Sequence, residues 1–162
     1  MFGLVIRVSR RRLFKREDGY WNAADDYYTT VEDHARFLLE VMNNKGASES
    51  ARQLRLNVQA SLKSDAIWGK AADIKPYPQP FGHSVGYFVF GYGDRRNIQH
   101  GGNDASEAAM GYFKTDTKDG MVVFVNAPNP EGILLYLKIV ELLDKGQHFT
   151  KVLNSIVKRH FK

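Results

Sequence analysis

The residues best suited to chemistry in this chain are Gln99-His100-Gly101-Gly102-Asn103, set between two segments of strand character. A polar side chain held beside a carbonyl that develops charge needs glycine neighbours, because only then can the backbone approach the ligand closely. In this run one polar ring, His100, is followed directly by two glycines, Gly101 and Gly102. The other histidines, His34, His83, His148 and His160, show no His-Glu-x-x-His or comparable ligand spacing, so no metal site is expected. The chain has no cysteine, which excludes disulfides, thiolate zinc sites and a cysteine nucleophile. Gly91-Tyr92-Gly93 and Gly101-Gly102 lack the Lys-Ser/Thr partner of a phosphate-binding loop. No cofactor is expected.

The elements that must position this run follow from periodicity and turn chemistry. Phe2, Leu4, Ile6 and Val8 alternate as a strand does. Thr30 has the place of a helix N-cap with Asp33 three residues on, and Val31, Ala35, Leu38, Leu39 and Met42 follow at helical spacing. Asn43-Asn44-Lys45-Gly46 supplies the stop, and Ser48 to Leu62 has the composition of a second helix. Pro76, Pro78 and Pro80 predict an extended loop, since each removes a donor and restricts its neighbour. Strands are expected at Val85–Tyr92, Asn97–His100, Glu107–Thr115 and Met121–Asn126, with turns at Gly93-Asp94 and Lys118-Asp119-Gly120. Such closely spaced runs predict an antiparallel meander. A helix from Gly132 to Asp144 should turn Ile133, Leu137, Val140 and Leu143 inward. Phe149, Val152, Leu153, Ile156 and Val157 predict one more amphipathic helix. The expected fold class is α/β of the α+β type, an antiparallel sheet flanked by helices.

With 162 residues, 43% of them hydrophobic, the chain can bury one core, so residues 1–162 are expected to form a single domain. The net charge is +5, and much of the excess lies between Arg7 and Arg16. This cluster reads as part of a solvated basic arm over residues 1–19. No stacking platform or nucleic-acid module accompanies it, so no nucleic-acid partner is expected. Met1 to Val8 is too short for a signal h-region, and no stretch approaches the length of a membrane span. The compartment is left open.

Three blocks together resemble the C-terminal half of the serine β-lactamase and penicillin-binding-protein-like family, in its class C and esterase-like branch. The first is Ala23-Ala24-Asp25-Asp26-Tyr27-Tyr28-Thr29-Thr30-Val31-Glu32-Asp33-His34-Ala35-Arg36-Phe37-Leu38, similar to the family's small-residue loop leading through a cap into a helix. Asp25-Asp26 stand where relatives usually carry glycines. The second is Gly86-Tyr87-Phe88 followed by Gln99-His100-Gly101-Gly102-Asn103, similar to a glycine-aromatic strand and the third active-site motif, Lys-Thr-Gly or His-x-Gly. The third is Met121-Val122-Val123-Phe124-Val125-Asn126, like the hydrophobic strand before the C-terminal helix. The resemblance covers residues 20–144, leaving 145–162 as an extra C-terminal helix.

The resemblance implies acyl transfer on an amide or ester through an acylated serine, with a lysine three residues later and a Tyr-x-Asn tyrosine assisting. His100 would be the polar side chain facing the substrate, Gly101 and Gly102 would permit close approach, and the Asn103 N–H would help form the oxyanion hole. In the family the Ser-x-x-Lys and Tyr-x-Asn motifs lie far upstream, and the chain is expected to start after them. Ser155-Ile156-Val157-Lys158 fits the first pattern but follows the third motif, whereas the family's nucleophile precedes it. Tyr20-Trp21-Asn22 fits the second but sits almost against the Ala23 block. Both read as coincidences, Trp21 and Trp68 read as packing anchors, and no catalytic residue is assigned. The expected function is a C-terminal portion of a serine hydrolase, inactive alone; the alternative is a non-catalytic binding or assembly module of the same fold. In the family the first strands of the sheet lie beside the last, here Met121–Asn126. Phe2–Val8 is expected to fill that place, or two chains to pair there, and the expected partners are a homo-oligomer or a complementing N-terminal half.

Overall fold

The computed structural model describes residues 28–62, 76–103, 106–145 and 147–160. The strand expected at Phe2–Val8, the basic cluster, Tyr20-Trp21-Asn22, the start of the Ala23 block and Trp68 lie outside the described residues.

The first helix, α1 (Val31–Met42), begins where a hydroxyl can replace a missing backbone partner: Thr30 Oγ1 accepts from the Asp33 N–H at 3.0 Å. Glu32 and Asp33 set negative charge against the positive end of the helix dipole. Ser48 caps α2 (Glu49–Leu56) in the same way, accepting from the Ala51 N–H at 3.2 Å. This helix stops six residues before the expected Leu62. Asn57 leaves helical geometry (ψ 144°) and its Nδ2 donates to the Gln53 carbonyl at 3.0 Å, so the carboxamide serves as the cap. Ala60 and Ser61 then form β1.

A strand unforeseen in the sequence, β2 (Phe81–His83), follows directly on Pro80, and its own residues have lost no donor to proline. It is followed by β3 (Phe88–Tyr92), β4 (Arg95–Asn103), β5 (Ala108–Lys114) and β6 (Gly120–Val125). The strand expected from Val85 begins only at Phe88, because Gly86 takes a left-handed φ of 83°. Conversely, β4 outruns the expected Asn97–His100 at both ends. Seven register pairs with β5, from Asn97↔Lys114 to Asn103↔Ala108, carry the strand through two glycines of low strand propensity. The six strands lie in chain order, every neighbour antiparallel. Two helices close the described chain, α3 (Glu131–Leu143) and α4 (His148–His160). The described residues thus form an α+β arrangement, as expected. None of their helices is long and apolar enough to cross a membrane.

Side-chain alternation along the strands sorts the apolar residues onto two faces. One face packs Phe81, Phe90, Tyr112, Val123 and Val125 against Tyr136, Leu137 and Val140 of α3 and Phe149 and Val152 of α4. The other packs Val89, Ile98 and Phe113 against Leu38 of α1, with Tyr87 beside them. Leu143, expected inward, is 73% exposed. The buried row runs Gly132, Tyr136 and Val140, and its next member at helical spacing is Asp144, which turns to Lys114. Tyr136 therefore fills the core where Leu143 does not. Lys114 Nζ reaches Asp119 at 2.6 Å and Asp144 at 3.2 Å, and the Tyr112 hydroxyl donates to Asp144, fastening the end of α3 to β5. Burial opposes ionisation of Asp144, but hydrogen bonds from Tyr112, Gln147 and Lys114 outweigh it and hold the carboxyl below its ordinary range.

Candidate functional site

The expected site residues all lie at one end of β4. The ladder from β3 ends at Phe88↔Gln99, whereas the ladder from β5 continues through His100↔Gly111, Gly101↔Met110, Gly102↔Ala109 and Asn103↔Ala108. Among the described strands, His100 to Asn103 therefore has a neighbour on the β5 side only. Among the described residues no strand pairs with its other backbone edge. His100, Gly102 and Asn103 are exposed, and Gly101 is half-buried.

Alternation divides the two glycines. Gly102 shares the face of His100, and a Cβ built there meets nothing within 4 Å. The surface beside the imidazole is thus backbone with open space above it. Gly101 points to the other face, where a Cβ would come 2.7 Å from Met110 Cγ. A side chain would thus collide with Met110 at Gly101 and meet no atom at Gly102.

Three more residues frame His100. The Tyr87 ring stands 6.2 Å from the imidazole at 82°, an edge-on contact. Burial raises the Tyr87 pKa, while the charge of Arg55 on α2 opposes the rise, so the phenol is a neutral donor at pH 7. On the other side, α1 brings His34 over Gly111, the register partner of His100. A Cβ at Gly111 would lie 2.7 Å from Leu38 Cδ1 and 3.3 Å from His34 Nε2. Glycine there is what lets α1 lie close to the sheet. The His34 ring packs 5.6 Å from Phe124 and 6.1 Å from Phe37. Burial lowers its pKa, and the nearby His100 lowers it further, so His34 is neutral near pH 7.

The sequence pointed to His100 and its glycines and set Tyr87 in the same block, but it did not mark His34 or Gly111 as their frame. His34 had one signal: it lies three residues after Val31 and four before Leu38, on the apolar stripe of its helix. The contact of Gly111 depends on cross-strand register.

The other histidines are elsewhere. His83 stacks 4.1 Å from Phe88, and His148 lies 5.4 Å from Tyr92. Among the described residues no three His, Asp, Glu or Cys side chains gather as a metal site. Ser155 is half-buried on α4, whose Phe149 packs 4.9 Å from Tyr112. The sheet therefore separates Ser155 from His100, and the two cannot act on one bond. Taken alone, the open end of β4 can accept an extended chain along its edge and donate hydrogen bonds to it. Comparison of the chain with protein-family models, with curated proteins and with solved structures finds no match in any of the three.

Proposed function

We propose that this chain is the C-terminal portion of a β-lactamase-like serine hydrolase and carries one wall of its acyl-transfer cleft. The observation that supports this most is the end of β4, where an exposed imidazole and a glycine with open space above it stand beside a backbone edge that no described strand pairs with. A substrate amide or ester laid along that edge would be held by backbone hydrogen bonds, with His100 donating to it or accepting from it. The Asn103 N–H would meet the charge that develops on the carbonyl oxygen. Preorganised donors of this kind are among the largest contributors to acyl-transfer rates.

Covalent catalysis also needs a nucleophile, and the one Ser-x-x-Lys in this sequence is the Ser155 match on α4. The chain alone therefore binds without turnover. A fluorophosphonate or fluorescent penicillin should leave no covalent mark on it. With a fragment carrying an upstream Ser-x-x-Lys added, the mark should appear on the fragment's serine. Covalent labelling of the chain alone would refute the inactive reading.

The second reading is a binding or assembly module. It draws on the same edge, because strand addition needs no nucleophile. The two readings part on one result: labelling in the presence of the fragment supports the hydrolase, and saturable non-covalent binding that no fragment converts to labelling supports the module.

A further inference from the structure

We propose that β6 and the outer flank of α3 form a self-complementary interface for a second copy of this chain. Among the described residues β6 is the last strand of the sheet, with Val125 and Val123 buried and Met121, Val122 and Phe124 half-buried. Gly120 to Val125 holds no charge and no proline, two of the devices that keep exposed edges from pairing.

The helix packed on this strand and on β5 adds apolar surface of its own. An α-helix turns by about 100° per residue, so contacts at a few positions orient the rest. Tyr136 and Val140 face the sheet. Glu141 faces α4, where Asn154 Nδ2 donates to its Oε1 at 2.9 Å. Leu135, Ile139 and Leu142 therefore occupy the flank turned away from α4, where Ile139 is half-buried against the core. Leu135 is 45% exposed and Leu142 71%.

The order of residues on this flank identifies the occupant. About a two-fold axis, β6 pairs antiparallel with its copy, and α3 lies antiparallel to its copy. Leu135 of each chain then meets Leu142 of the other, with Ile139 at the midpoint. Glu131, in the first turn, comes beside Lys145, just past the C-terminal end of the copy's helix; both are exposed. Acid at one end, base at the other and leucines placed symmetrically between them is the pattern an isologous contact requires. Phe2–Val8, the other candidate for this edge, could pair with β6 but would leave the leucine stripe in water.

Sedimentation velocity of the full chain over a range of concentrations tests the proposal. The chain should be dimeric. Leu142→Lys should weaken the dimer on the order of tenfold or more while leaving the far-UV spectrum unchanged, since its side chain is exposed. Glu131→Lys should weaken it less, and Glu131→Lys combined with Lys145→Glu should restore it. A chain monomeric at every concentration overturns the proposal, as does a dimer indifferent to Leu142→Lys. A monomer that dimerises only after deletion of residues 1 to 9 assigns the edge to the N-terminal segment and also overturns it.

Discussion

The two faces of the sheet are covered to different extents. Under α3 and α4, Tyr112, Tyr136, Leu137, Val140 and Phe149 are fully buried in one core cluster, with the Tyr112 and Phe149 rings meeting edge-on. Under α1, Val89 and Ile98 are equally dry, but two residues further along β4 the cover ends at His100 and Gly102. One face is a finished core, whereas the other begins as a core and ends as an open surface. The contrast explains how a small chain can display an uncovered strand end: the stability comes from the opposite layer, so the His100 end is free to present groups instead of burying them.

The largest effect expected from this contrast is at Phe149. Phe149→Ala should destabilise the fold by about 3–5 kcal/mol in urea unfolding, because it opens a cavity between Phe90 and Tyr112. A loss below about 1 kcal/mol would mean that α4 does not support the sheet. Next is Asp144→Asn, which weakens the charged hydrogen bonds tying α3 to β5 and should cost about 1–3 kcal/mol at pH 7. The folded pKa of Asp144 lies below its unfolded value, so its contribution is whole above about pH 4 and fades as pH falls through the folded pKa. The wild-type urea midpoint should drop over that window more steeply than the variant's. Superimposable acid limbs would contradict the pairing.

A pair of glycines compares the covered and open parts of one face. Gly111→Ala must displace Leu38 or His34 and should cost about 1–3 kcal/mol. Gly102→Ala, with open space around it, should stay within about 0.5 kcal/mol. Equal losses would erase the distinction. The smallest effect is at His34. Because burial and His100 lower its pKa, the unfolded chain binds a proton there at higher pH than the folded one. Its contribution is whole above about pH 6.5 and declines below that until the folded ring is itself protonated. His34→Gln should reduce this slope between pH 7.5 and 5, measured as the urea midpoint.

Much of this was legible in the sequence. Thr30 and Asp33 marked the start of α1, and the runs from Glu107 and Met121 gave β5 and β6 within a residue or two, because local caps and alternation decide those elements. The misses came where non-local contacts decide. Composition continued α2 past Asn57, although that carboxamide ends it. Prolines hid β2, and the reach of β4 through Gly101-Gly102 comes from the β5 ladder, which one strand's residues do not reveal. At the site, His100 and its glycines were visible as a cluster along the chain. His34 and Gly111 become its neighbours only through helix packing and register.

A titration of the isotope-labelled chain with benzylpenicillin, followed amide by amide, tests the central claim most directly. Perturbations should be confined to His100 through Asn103, with smaller ones at Tyr87, His34 and Gly111, and should reverse on dilution because no acyl bond forms. A silent His100 end, or shifts concentrated on the α3 and α4 face, would contradict the assignment of that end as the wall of a cleft.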